Sequence, residues 1–178
     1  MIQEFVQAVN DAIDRKIANI HTAVPGKIVS YDADKGVAAV LPMMKFKKPD
    51  GTMIDYPQIS GVPMVLPQAL GQDAIIAYPI KSGDGCLLIF AEQSIDYWMY
   101  GQQTETDLKF DLTNAICIPG LFSKVNGVIK EACANNSIII DVKGTRISVK
   151  DGEVSIKASS VTINGDLKVT GKVETGEK

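Results

Sequence analysis

Between Arg146 and Thr170 the chain repeats one pattern four times. Arg146–Lys150, Glu153–Lys157, Ser160–Asn164 and Asp166–Thr170 each read polar, apolar, polar, apolar, polar. Strict alternation puts the apolar side chains on one face of a strand and leaves the other face wet. Those side chains are Ile147, Val149, Val154, Ile156, Val161, Ile163, Leu167 and Val169. The joints are Asp151-Gly152, Ala158-Ser159 and Gly165. They are too short for crossover helices, so the strands must be antiparallel hairpins or successive rungs of a β-helix. A lone narrow ribbon cannot bury its apolar face or pair its edges. Several copies wound together can do both. The expectation is therefore an intertwined three-chain β-helix whose trimer core is these eight residues. A meander folded back on the rest of the chain is the other solution. A fifth repeat starts at Lys172-Val173 and fades into Glu174-Thr175-Gly176-Glu177-Lys178.

The preceding residues divide into three parts. Residues 1–20 read as one amphipathic helix. Ile2, Phe5, Val6, Val9, Ile13, Ile17 and Ile20 keep spacings of three and four, which form one stripe. The stripe needs cover from its own domain or from a neighbouring chain.

Residues 21–104 read as all-β. Strands are expected at 27–31, 37–41, 43–48, 53–56, 74–80 and 86–92, with turns at Asp32–Gly36, Pro49-Asp50-Gly51 and Lys81–Gly85. A proline-punctuated stretch (Pro57, Pro63, Pro67) separates the two halves. Short strands in this number suggest a small Greek-key barrel of the OB type. Residues 105–136 read as an irregular connecting segment packed on the barrel, and 137–178 as the C-terminal β-helix spike. The fold class is mainly β.

Composition narrows the chemistry. The net charge of −3 disfavours nucleic acid, whose binding depends on neutralising phosphates. His21 is the one histidine, which excludes a His-rich metal site. Cys86, Cys117 and Cys133 form no CxxC pair, and the first two sit in apolar company, as reduced buried thiols do. No Gly-rich phosphate loop and no Gly-x-Ser-x-Gly elbow is present. Asp96, Glu105, Asp107 and Asp111 are the carboxylates that a glycosidase pair would draw on, but surface charge accounts for them. Lys45-Phe46-Lys47-Lys48 reads as a solvated hairpin edge guarded against aggregation. The N-terminus lacks a basic segment followed by an apolar one, so no secretory signal is expected. No apolar run approaches a membrane span of ~20 residues. The expectation is a protein that is not an enzyme and takes no cofactor or metal.

Two segments resemble a known family. Tyr78-Pro79-Ile80-Lys81-Ser82-Gly83-Asp84-Gly85-Cys86-Leu87-Leu88-Ile89-Phe90-Ala91-Glu92-Gln93-Ser94-Ile95-Asp96 is similar to a core segment of the baseplate spike proteins of contractile-tail phages, which puncture membranes and carry an N-terminal OB domain. Phe110-Asp111-Leu112-Thr113-Asn114-Ala115-Ile116-Cys117-Ile118-Pro119-Gly120-Leu121 resembles a second hallmark of that family. The order of helix, barrel, hallmark and repetitive tail also fits.

The resemblance implies a homotrimer made in the host cytoplasm and assembled at the baseplate of a virion or of a phage-tail-like bacteriocin. It implies contact with tail-tube and baseplate hub proteins, and mechanical piercing of the target cell envelope on sheath contraction. Many members end in a His-x-His iron apex; this chain has no histidine there, so a separate tip protein docking on the C-terminal end is the expected alternative to a blunt spike. A different function class stays open: an OB-fold module binding oligosaccharide or nucleic acid, with the tail as an oligomerisation stalk.

Overall fold

The computed structural model describes residues 2–18, 20–48, 50–101 and 108–176. Met1, Asn19, Pro49, Glu105, Asp107, Glu177 and Lys178, each part of an expectation above, lie outside the described residues. The chain divides into two units, Met1–Ser123 and Lys124–Lys178. That division falls inside the segment expected to be a connector.

The first unit begins with helix α1, Ile2–Ala18. Glu4 in its first turn and Arg15 and Lys16 in its last suit the helix dipole. None of its described residues is buried, and Phe5 is 71% exposed. The apolar stripe is therefore not covered by its own unit. The chain then turns inward: the His21 amide donates to the Phe110 carbonyl at 3.0 Å.

Strands β1 (Ala23–Asp32) and β2 (Val37–Pro42) form an antiparallel hairpin. Asp32 closes it by accepting from the amides of Asp34 and Lys35. β3 (Lys45–Lys47) and β4 (Met53–Asp55) form a separate two-stranded hairpin, pinned by Lys45 and Asp55 at 2.8 Å. β5 (Ile59–Pro63) returns to pair with β2. β6 (Gln68–Ala69) and β7 (Ala74–Ile75) make a second small hairpin. β8 (Gly85–Phe90) pairs with β1, a short helix α2 (Asp96–Tyr100) follows, and β9 (Ala115–Pro119) pairs with β8.

The main sheet has the order β5-β2-β1-β8-β9, all antiparallel. It curls into a half-barrel. Its two outer strands meet at one point, where Met64 and Cys117 form a parallel bridge and the Val65 amide donates to the Cys117 carbonyl at 2.9 Å.

The core of this unit lies inside the curl. Ile28, Val40, Val62, Cys86, Leu88 and Cys117 are almost wholly buried, and all but Val62 alternate with more exposed neighbours along their strands. Cys86 and Cys117 come from adjacent strands. The hydrogen bond with Cys86, and then burial, push the Cys117 thiol far up. Thiolate is the reactive form, so Cys117 is inert in the folded protein, and complete burial shields Cys86 beside it from reagents. Cys133 is exposed. A thiol-titration experiment on the native protein is expected to label Cys133 rapidly and the other two only after denaturant is added. Rapid labelling of all three would show an open core.

Three sequence expectations are corrected. The strand expected over 74–80 is only Ala74–Ile75. Pro79 has no amide to give a ladder, and the Ile76 amide is used by the Pro67 carbonyl. The proline-punctuated stretch hides a full member of the sheet, β5, because Pro63 stands at its last position, where a proline is tolerated. Residues 105–136 are not irregular throughout: β9 completes the main sheet, and α3 (Gly127–Ala134) opens the second unit. Asn126 caps α3, its side-chain oxygen accepting from the Val128 amide at 2.8 Å.

The second unit continues with β10 (Ile138–Val142), β11 (Thr145–Lys150) and β12 (Glu153–Lys157), an antiparallel meander in that order. From Ala158 to Gly176 the chain forms no strand. Of the four expected repeats, the first two pair with each other and the last two do not pair within the chain. One copy therefore contains no β-helix. The meander also takes in a strand that the repeat did not include, β10.

Candidate assembly interface

The register of the meander gathers its apolar side chains. Ile138 faces Val149, Ile140 faces Ile147, Ile147 faces Ile156 and Val149 faces Val154. Pairs of branched side chains across an antiparallel ladder are the unit of sheet stabilisation. With Val142 they form one continuous apolar face. Among the described residues nothing covers it. Ile138 is 71% exposed and Val154 66%, and even the central Ile147 and Val149 stand about 40% open.

The polar face is the more protected one. Ile139, Asp141, Arg146 and Ser148 are half-buried while their apolar neighbours are exposed. Arg146 donates from Nη1 to Glu131 of α3 at 2.6 Å and from Nε to Asp141 at 3.0 Å. Glu131 foremost, and then Asp141, hold the guanidinium protonated beyond its ordinary value. The cleft on this side is lined by charged and hydroxyl groups, among them Lys150, Glu153, Ser155 and Lys157. A soluble monomer buries the apolar face and leaves the polar face to water. Here the burial is inverted.

The eight expected trimer-core residues fall into two groups. Ile147, Val149, Val154 and Ile156 are brought together on the apolar face. Val161, Ile163, Leu167 and Val169 lie on the unpaired segment and are all exposed. Sequence reasoning missed Ile138, Ile140 and Val142. The run Ile138-Ile139-Ile140 masks the alternation, although the turn pair Lys143-Gly144 marks the hairpin that follows. It also missed the Glu131–Arg146–Asp141 cluster, which three separate elements assemble.

The two quoted hallmark segments form part of the half-barrel. Gly85 starts β8 where the chain passes under the residues after β9: a Cβ there would collide with the Leu121 carbonyl oxygen. Asp111 caps the 3-10 turn Leu112–Asn114, accepting from the amide and hydroxyl of Thr113 at 2.9 and 2.8 Å. Asn114, buried, donates to the Leu108 carbonyl at 2.9 Å.

The Thr113 amide, and then its hydroxyl, hold the Asp111 carboxyl below its ordinary value of 3.8. A lowered folded pKa stabilises the protein above the unfolded value, and the gain is lost as pH falls through the folded one. Asp111→Asn is therefore expected to flatten the acid-side loss of stability below about pH 4. An unchanged acid limb of the unfolding curve would remove Asp111 from that role.

The other candidate carboxylate in view, Asp96, accepts a hydrogen bond from the Ser94 hydroxyl at 3.0 Å. His21 packs between Tyr56 and Phe90, with ring centroids 5.8 and 5.6 Å away. Among the described residues, no group of three or more His, Cys, Asp or Glu side chains is placed to hold a metal ion. No described helix is long and apolar enough to cross a membrane.

Residues 24–120 match the family model described as phage protein Gp138 N-terminal domain. The chain belongs to that family. The matched Gp138 segment runs from the second residue of β1 through β9, so it takes in the half-barrel but for Ala23, the first hallmark segment and the second as far as Gly120. It stops short of the meander and the unpaired repeats, which belong to the second unit. No curated protein matches the chain. Gp138 membership supports a phage structural protein.

Proposed function

We propose that this chain is the baseplate spike of a contractile injection tail, acting as a homotrimer that pierces the target cell envelope mechanically when the sheath contracts. The observation that carries the reading is the bare apolar face of β10–β12, in a chain whose other unit is a phage-family domain. A contiguous apolar sheet face left open in this way is a mark of an interaction surface. Three copies turned face to face about one axis would dry it. The same association would give the repeats from Ser160 to Thr170 the neighbours that they lack within one chain.

The first unit supports an OB-type barrel within the same reading. Its sheet order and the parallel bridge between its outer strands fit the five-stranded, partly open Greek-key barrel that this reading requires. Three such barrels would form the collar at the end of the tail tube. They would meet hub proteins there, while the second unit points to the envelope and a separate tip protein docks on its far end. The work is mechanical: the sheath supplies the energy, and a closed β assembly supplies stiffness because it has no free edge to unzip. No catalytic group, cofactor or metal enters the scheme.

Native mass measurement tests the proposal, with a species of three times the chain mass as the expected result. Gold labelling of a tagged chain is expected at the tail end of intact particles. A folded monomer at micromolar concentration, or label elsewhere on the particle, would reject it.

A further inference from the structure

The meander is built from hairpins of one loop length. Val142 pairs with Thr145 across Lys143-Gly144, and Lys150 pairs with Glu153 across Asp151-Gly152. In the first loop Lys143 and Gly144 have φ of 54° and 91°, the paired positive values of a type I′ turn; in the second Gly152 has φ of 71°. The next joint, Ala158-Ser159, also places two residues between successive repeats. Length alone would permit a third hairpin, but the turn chemistry opposes it. The joint has no glycine, and neither residue takes a positive φ, a conformation in which their Cβ atoms crowd the backbone.

Two complementary rows are left open as a result. β12 is an edge strand with all five residues exposed, and the repeat Ser160–Asn164 forms no ladder. They match in length and order: Val154-Ser155-Ile156 corresponds to Val161-Thr162-Ile163. Pairing them would continue the apolar face by one strand. Ser160–Asn164 carries no charge, so the charged ends of β12, Glu153 and Lys157, meet no like charge in either strand direction. No proline or bulge blunts the edge of β12.

We infer that Ser160–Asn164 of one copy pairs along the free edge of β12 in a neighbouring copy. Ala158-Ser159 is then the point at which the chain passes from pairing with itself to pairing with its neighbours. This inference rests on the assembly reading above and specifies which residues of which copy complete the edge.

Cross-linking the full chain tests it. Ser155 and Thr162 are the central residues of the two segments, so they stay opposite whichever way the strands run. In a Cys133→Ser background, Ser155→Cys with Thr162→Cys is oxidised with copper phenanthroline and run on a denaturing gel. The expected result is covalent trimer, with none from either single cysteine variant. Linkage closed within single chains, or an intact trimer without inter-chain links, overturns the inference and leaves the assembly reading standing. A chain that is monomeric by native mass overturns both.

A second variant isolates the turn. Adding Ala158→Asn and Ser159→Gly supplies type I′ chemistry and is expected to lower the inter-chain yield at least tenfold, with linkage moving inside the chain. An unchanged inter-chain yield overturns the role given to the joint.

Discussion

Ile156→Asp is expected to abolish assembly, while Ser155→Asp, one residue away, leaves it intact. Ile156 sits on the bare apolar face opposite Ile147. In a trimer the substitution sets three carboxylates near one dry axis. Burying an unpaired charge costs several kcal/mol even after relaxation, and mutual repulsion adds to it. A penalty of ~4 kcal/mol corresponds to about a thousandfold in association. Ser155 lies on the other face, in a cleft that also holds Arg146, Lys150 and Lys157, where a new carboxylate meets cations and water. Sedimentation of the two variants at equal micromolar concentration reads the difference directly. Equal behaviour would mean that the apolar face is not the interface. Val161→Asp is expected to act like Ile156→Asp, for the unpaired repeat acquires its neighbours only in the assembly.

Gly85→Ala is expected to unfold the half-barrel at temperatures that the parent tolerates. The added Cβ would be driven into the Leu121 carbonyl oxygen, which is backbone and cannot swing aside as a flexible side chain can. Either β8 or the segment after β9 must move, and β8 carries Cys86, Leu88 and Phe90 into the core. Overpacking of this kind costs at least ~2 kcal/mol, which lowers Tm by about 8 °C. Gly127→Ala is the control. Gly127 opens α3 with nothing near its position, and alanine there removes only unfolded-chain freedom. Differential scanning calorimetry separates the two. A Gly85→Ala protein as stable as its parent would show that the crossing of chains at Leu121 is not tight.

Much of this protein is legible from local pattern. The repeat from Arg146 to Thr170 fixes which face of each strand is apolar, since side-chain direction in a strand has period two. The stripe of α1 and the β1–β2 hairpin are equally local, and each appears in the structure. The resemblance of residues 78–96 and 110–121 to a phage family likewise needed no coordinates, and the Gp138 match spans residues 24–120.

What tertiary structure decided is non-local. Periodicity does not say which strands are neighbours, and only the fold sets β8 beside β1 and brings β9 back to β5 through Met64 and Cys117. A strand such as β5, ending in Pro63, is recognised by the partner that accepts it rather than by its own composition. The Glu131–Arg146–Asp141 cluster joins a helix to two strands and leaves no spacing signature. The inverted burial of the meander is likewise invisible in the sequence. Alternation shows that one face is apolar; whether the chain itself covers that face depends on every other element, and among the described residues none does.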